Sequence, residues 1–92
     1  MIKTFRHRGL EKFFTAGSYK GIPGSSAARI ERMLDLLDAC AKPADMALPG
    51  FKYHELKGGR KGTFSIAVTG NYRITFRFDG EDAVDVDLED TH

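Results

Sequence analysis

Cysteine, tryptophan and long apolar runs are scarce in this chain of 92 residues. Cys40 is the only cysteine, which excludes an internal disulfide and a cysteine-rich zinc site. No apolar run approaches the roughly 18 residues of a membrane span, and the N-terminus lacks the apolar region of a signal peptide. We therefore expect a cytoplasmic protein with no membrane contact, in which Cys40 is a buried thiol on a helix.

Basic residues are missing from the end of the chain. Residues 1–78 hold all 14 Lys and Arg residues and 6 Asp and Glu residues, a balance of +8, whereas residues 79–92 hold 7 acids and no base, a balance of −7. A basic body suits a polyanion such as RNA. The alternative is that the acidic strip lies beside basic residues within the fold and neutralises them.

Apolar residues, 41% of the chain, suffice for one packed domain over residues 1–92. Residues 1–5 are expected to form a short strand, and a short helix with Leu10, Phe13 and Phe14 on one face should end at Gly17. A longer helix, capped by Ser25 or Ser26, should run to about Cys40, before a loop over residues 42–50. Its apolar residues recur at helical spacing: Ile30, Met33, Leu34, Leu37 and Ala41.

From Phe51 onward the apolar period changes to two, which predicts a meander of three antiparallel strands. The inward residues would be Phe64, Ile66, Val68, Tyr72, Ile74, Phe76, Phe78, Val84, Val86 and Leu88. The turns would lie at 70–71 and 79–80. Parity predicts loops of three residues, with Val68 opposite Tyr72, Phe78 opposite Asp82, Arg73 opposite Asp87 and Thr75 opposite Asp85. The predicted fold class is α+β, with two N-terminal helices on one face of the sheet.

The segment of residues 53–62 combines one histidine, three basic residues and three glycines. Cleavage of RNA without a metal needs a base for the ribose 2′-OH, an acid for the departing 5′-oxygen and cations for the phosphoryl charge. His54 and His92 suit the proton transfers, and Lys57, Arg60 and Arg73 suit the charge. The three histidines are not spaced to bind zinc, and the acids of residues 79–92 alternate along a strand rather than form a calcium loop. No glycine-rich nucleotide-binding loop is present. We therefore expect neither a metal nor a cofactor. His7 is expected to be structural.

Several motifs occur in a fixed order and carry a resemblance to a known family. They are Met1–Leu10 at the start, the L-x-G-x-R-x-G-x-aromatic-S-I pattern at 56–66, the N-[WY]-R-[IL]-x-F pattern at 71–76, and a terminal Asp90-Thr91-His92. Together they resemble the HigB branch of the RelE/ParE toxins of type II toxin–antitoxin systems. The resemblance covers almost the whole chain and implies a RelE-like fold.

What the resemblance implies about function is specific. Such a toxin would enter the ribosomal A site, cut mRNA without a metal, and pair with a HigA-like helix-turn-helix antitoxin. The catalytic positions of the family correspond to His54, Asp90 and His92. Its substrate-binding positions correspond to Lys57, Arg60, Asn71 and Arg73. The family usually has tyrosine where this chain has Thr91, which removes a ring that could stack on a base.

Other interpretations of the same residues remain open. Arg73 could form a cross-strand pair with Asp87, Asn71 could serve the turn alone, and Tyr53 could replace the missing ring. The chain could also be a non-enzymatic toxin of the ParE kind, which acts on gyrase, or a degenerate toxin that only binds its antitoxin.

Overall fold

The two helices begin and end close to the predicted positions. A computed structural model describes residues 1–91, with helix α1 at Arg8–Ala16 and helix α2 at Ala27–Ala39. His7 caps α1, because its Nδ1 accepts a hydrogen bond of 2.9 Å from the backbone N–H of Leu10. Gly17 ends α1 with a φ of 69°, a left-handed conformation that glycine adopts without strain. The structural role expected for His7 is thus confirmed.

The second helix differs in detail from the prediction. It follows a 3-10 turn at Gly24–Ser26, and although Ser26 occupies the N-cap position, its side chain makes no capping hydrogen bond. Ala41 lies beyond the end of α2 and is exposed, so its predicted place in the apolar stripe was wrong. Cys40 is half-buried rather than buried; its Sγ donates to the carbonyl of Leu36 at 3.1 Å, and burial raises its pKa.

The sheet contains the predicted meander and one additional strand. Its strands are β1 at His54–Glu55, β2 at Phe64–Ala67, β3 at Tyr72–Asp79 and β4 at Asp82–Asp90, all antiparallel and adjacent in chain order. The N-terminal segment, Met1–Phe5, forms two parallel bridges with β4, Ile2 to Ala83 and Phe5 to Val86. It therefore lies alongside β4, but it makes only isolated bridges, so the short strand predicted at residues 1–5 does not form as a continuous element.

The loop between β2 and β3 was predicted correctly, but the register of β3 with β4 was not. The N–H of Val68 donates to the carbonyl of Tyr72 at 3.0 Å, as a loop of three residues requires. By contrast, Asp79 pairs with Asp82 across a two-residue loop, and Phe78 therefore lies opposite Ala83 rather than Asp82. The tighter loop changes which residues of β4 point inward near the turn.

A β-bulge then restores the alternation further along β4. The register shifts by one residue between Thr75 and Arg77 of β3, and on β4 Asp85 has a φ of 53°, as the extra residue of a bulge often does. Consequently Arg73 faces Glu89 and not Asp87, and Thr75 faces Asp87 rather than Asp85. The prediction that Val84 points into the core was also wrong, because Ala83 is buried in its place.

The core lies between the helices and one face of the sheet, as the α+β prediction required. Fully buried side chains come from both layers: Leu10 of α1, Ile30, Met33, Leu34 and Leu37 of α2, and Ile66, Ile74, Phe76 and Val86 of the sheet. No helix within residues 1–91 is long and apolar enough to cross a membrane. The opposite face of the sheet carries no helix packing and is lined by polar side chains, which define the candidate site.

Candidate active site on the polar face of the sheet

The polar face is built from alternate residues of the two long strands and from the loop between β1 and β2. Side chains alternate across a strand, so Arg73, Thr75 and Arg77 of β3 all point away from the core. The loop closes through a hydrogen bond of 2.8 Å from the N–H of Leu56 to the carbonyl of Thr63. Its 3-10 turn, Gly58–Arg60, carries Arg60 over the same face.

Glu89 joins two of the predicted phosphate-binding residues. Its Oε1 and Oε2 accept hydrogen bonds from Nη1 and Nη2 of Arg60 at 3.0 and 2.5 Å. Its Oε1 also accepts from Nε and Nη2 of Arg73 at 3.2 and 2.9 Å, and the hydroxyl of the buried Thr75 donates to Oε2 at 2.7 Å. We call these four residues, Arg60, Arg73, Thr75 and Glu89, the arginine–glutamate cluster.

The electrostatics of the cluster favour a permanent carboxylate. Hydrogen bonds from Arg60, together with those from Thr75 and Arg73, lower the pKa of Glu89 from 4.5 to about 2, against the opposing effect of burial. The same hydrogen bond raises the pKa of Arg60. A guanidinium has five N–H donors, and each arginine gives two of them to Glu89. Among the contacts of residues 1–91, three donors on each arginine therefore remain to bind an anion, in an orientation that Glu89 fixes.

A depression of about 320 Å³ lies beside the cluster on the same face. Three arginines line it, Arg6, Arg60 and Arg77, and within residues 1–91 Asp85 is the one carboxylate in its wall. Gly59, Thr63 and Thr75 complete the lining. Arg6 and Arg77 were not predicted as site residues. For Arg77, the predicted alternation of the strand already indicated that its side chain points away from the core.

His54 lies on the edge strand of the same face. It pairs with Ser65, which in turn pairs with Thr75, so the three residues form one row across the sheet. The imidazole is exposed, and its Nδ1 lies 3.1 Å from the carbonyl oxygen of Lys52. Because a carbonyl only accepts, Nδ1 must carry the proton, and Nε2 of the neutral ring is free to accept another.

The remaining predicted residues occupy two other places. Lys57 is exposed at the start of the 3-10 turn that carries Arg60. Asn71 lies in the loop before β3, where its backbone carbonyl accepts a hydrogen bond of 2.7 Å from the backbone N–H of Thr91. The hydroxyl of Thr91 donates to the carbonyl of Gly70 at 3.0 Å, so this threonine anchors the end of β4. His92 lies outside the described residues.

Asp90 ends β4 opposite Tyr72. Alternation along β4 assigns it to the face of Leu88, whereas Glu89 faces the cluster. His54 and β4 are separated by two strands, or about 14 Å at ~4.8 Å per strand. The described residues thus bring Arg60 and Arg73 together, with Lys57 in the same loop, but do not bring His54 into contact with Asp90. In residues 1–91, no three His, Cys, Asp or Glu side chains are grouped closely enough to hold a metal ion.

Sequence reasoning missed Glu89 as a site residue. Its signal was the outward parity it shares with Arg73, but the two-residue loop and the bulge together decide that these two residues, and not Arg73 and Asp87, are partners. The stretch from 79 onward contains seven acids, and composition alone does not single out one of them.

Comparison with known proteins identifies the class to which this chain belongs. Residues 3–92 match the family described as the RelE-like toxin of type II toxin–antitoxin system HigB. The chain is 39% identical to "Endoribonuclease HigB" of Proteus vulgaris over 92 residues, which cover all of both chains. It is 32% identical to "Toxin HigB-1" of Vibrio cholerae over 80 residues, 85% of this chain and 84% of the relative.

The family match and the match to the Proteus vulgaris protein extend over essentially the whole chain. The chain belongs to the HigB family of RelE-like toxins of type II toxin–antitoxin systems. A toxin of this type is one half of a pair, so an antitoxin is its partner.

Proposed function

We propose that this toxin is an endoribonuclease that cuts mRNA in the ribosomal A site without a metal ion. The observation that carries the proposal is the arginine–glutamate cluster, which holds two guanidinium groups at fixed positions on an open, polar sheet face. Fixed guanidinium groups are what a phosphoryl group gaining negative charge requires. The relative named as an endoribonuclease, which matches the full length of the chain, supports the same reaction.

The proposed reaction assigns each proton transfer to one of the predicted residues. Nε2 of His54 takes the proton from a ribose 2′-OH, whose oxygen forms a bond to the adjacent phosphorus. The bond from phosphorus to the 5′-oxygen breaks, and we assign the return of a proton to that oxygen to His92, with Asp90 beside it in the sequence. The products are a 2′,3′-cyclic phosphate and a 5′-hydroxyl. The hydrogen bond from Nδ1 of His54 to Lys52 supports the role of His54 as the base.

The basic residues bind the phosphate and stabilise its developing charge. Arg60 and Arg73 stabilise the phosphoryl oxygens as their charge increases, through donors that Glu89 leaves unused. Lys57, exposed beside Arg60, adds a point charge to the same phosphate. Asn71 positions the substrate strand near the end of β4. Thr91 offers no ring for stacking, so cleavage should be slower than with a tyrosine at this position.

The proposed partners follow from the same assignment. The antitoxin would be a HigA-like helix-turn-helix protein, and both proteins would act in the cytoplasm. The ribosome would deliver the mRNA to the open, polar face of the sheet. The basic balance of residues 1–78, +8, favours association with ribosomal RNA.

Cleavage by purified protein, with and without ribosomes and in the presence of a chelator, tests the proposal. We expect cutting of ribosome-bound mRNA that His54→Ala, or deletion of the last two residues, reduces by at least 100-fold. His7→Ala is the matched control, since His7 caps a helix on the other layer. A folded double variant, His54→Ala with His92→Ala, that still cuts mRNA would contradict the proposed chemistry. Inhibition of gyrase without RNA cleavage would favour the non-enzymatic alternative.

A further inference from the structure

The depression lined by Arg6 and Arg77 contains positive charge that the arginine–glutamate cluster does not use. Among residues 1–91, no carboxylate lies within ion-pair distance of either arginine, whereas Arg60 and Arg73 share Glu89. Both Arg6 and Arg77 are exposed. Two cations without an ion pair, beside a fixed guanidinium cluster, attract a polyanion such as an RNA strand.

Arg77 is held in place before any ligand arrives. Its Nη1 donates to the hydroxyl oxygen of Thr63 at 3.1 Å. Its guanidinium also lies against the backbone of Gly62, where a Cβ atom would come within 3.3 Å of Nη2. Thr63 is buried, and its hydroxyl hydrogen is available to donate into the depression. A guanidinium held in this way loses less conformational entropy on binding a phosphate than a free side chain would.

The depression is large enough for a phosphate and its sugar, and Arg60 and Thr75 of the cluster form one of its walls. Its volume of about 320 Å³ lies at the lower end of the range of small-molecule sites, about 300–1,000 Å³. Arg73 and Arg77 are four residues apart on one strand, or about 13 Å along it. The separation fits two different phosphates of one strand better than a single shared phosphate.

We infer that Arg6, Arg77 and Thr63 form a second phosphodiester-binding site, for RNA next to the scissile bond or for ribosomal RNA. The inference deepens the proposed function and names the chemistry of its second contact. The cluster holds the phosphate that reacts, while Arg6 and Arg77 hold a neighbouring phosphate and so set the path of the strand across the sheet. Asp85, at the bulge, forms the negative edge of the depression.

The salt dependence of RNA binding measures the contact without requiring cleavage. The probe is a short RNA oligonucleotide with 2′-O-methyl groups, which cannot be cut, bound at several salt concentrations. Each phosphate contact adds about 0.7 to the slope of log K against log salt for a single strand. Arg6→Ala and Arg77→Ala should therefore each lower the slope by about 0.7. In the double variant, the affinity lost between about 50 and 200 mM salt should be about sevenfold smaller than in the unaltered protein.

Two further variants separate charge from structure. Arg77→Lys should keep most of the slope, because the charge remains although the hydrogen bond to Thr63 is changed. Arg32→Ala is the matched control: Arg32 is an exposed arginine on α2, on the other layer of the domain. Its slope should equal that of the unaltered protein. Arg6→Ala keeps the test valid if Arg77→Ala does not fold.

Ribosomes distinguish the two sources of the phosphate. A contact with the substrate strand predicts that the double variant raises KM for ribosome-bound mRNA without lowering kcat. A contact with ribosomal RNA predicts weaker binding to ribosomes that carry no mRNA. Either result, together with the lower salt slope, supports the site even if no cleavage is found.

Three results would overturn the inference. One is an unchanged salt slope in the double variant, and another is the absence of RNA binding by the unaltered protein at low salt. The third is loss of affinity for the antitoxin alone, with RNA binding unchanged, because the depression would then bind a protein carboxylate.

Discussion

Replacement of Glu89 with glutamine should lower the free energy of unfolding by about 2–3 kcal/mol at neutral pH. The fall in the pKa of Glu89 from 4.5 to about 2 corresponds to about 3 kcal/mol of stabilisation of the folded state. The side chain is only 18% exposed, so solvent screens this interaction weakly. Glutamine retains one carbonyl oxygen that accepts a hydrogen bond, which is why the expected loss is somewhat smaller than the full value.

The loss of stability caused by Glu89→Gln should become smaller as the pH falls. Because the pKa of Glu89 is lower in the folded state, its contribution is fully present above pH 4.5 and disappears as the pH falls towards about 2. The difference in stability between the unaltered protein and Glu89→Gln should therefore be constant from pH 6 to 8. Near pH 3 it should have fallen to about half.

Urea unfolding followed by far-UV circular dichroism at pH 7 and pH 3 measures both quantities. Glu31→Gln is the control, because Glu31 is an exposed residue of α2, and its replacement should change stability by less than about 0.5 kcal/mol. A loss for Glu89→Gln that is equal at both pH values would refute the reasoning. So would a loss no larger than that of the control.

Further substitutions test the backbone and the two histidines. Gly62→Ala should lower the free energy of unfolding by about 1–2 kcal/mol, because Gly62 has a φ of 93° and an arginine guanidinium lies against it. Gly59 has open space around it, so Gly59→Ala should lower that free energy far less in the same urea titration. Asp85→Val should cost about 1–2 kcal/mol and Asp85→Gly nothing, since φ is 53° there; equal thermal midpoints for the two variants would argue against a strained bulge. His7→Ala should lose about 1 kcal/mol of stability and keep cleavage, whereas His54→Ala should keep stability within about 0.5 kcal/mol and lose cleavage; the reverse pattern would exchange their roles.

Apolar spacing was sufficient to predict the layers of this fold. Leu10 and Phe13, and then Ile30, Met33, Leu34 and Leu37, recur at helical intervals, and they bury the faces of α1 and α2 that the spacing predicts. Gly17 ends α1 in a left-handed conformation, which glycine adopts readily. These features depend on neighbours within one or two turns, which is why the sequence alone indicates them.

The pairing of β3 with β4 depends on distant residues and could not be predicted in the same way. A loop of two or three residues satisfies the sequence around Gly80 equally well, and a bulge at Asp85 is invisible to a rule of strict alternation. The candidate site shows the same limit. The chemistry of Arg60 and Arg73 was visible in their residue types, but their common partner, Glu89, depended on a one-residue shift.

The order of the strands also determines when the cluster can assemble during synthesis. The N-terminal segment pairs with β4 across 81 positions, through the Asp85 N–H and the Thr4 hydroxyl among other contacts. Arg60 and Arg73 are both translated before Glu89, the carboxylate that orients them. A nascent chain therefore has its cations long before it has their fixed geometry, and the cluster is complete only once β4, the last strand to be translated, has joined the sheet.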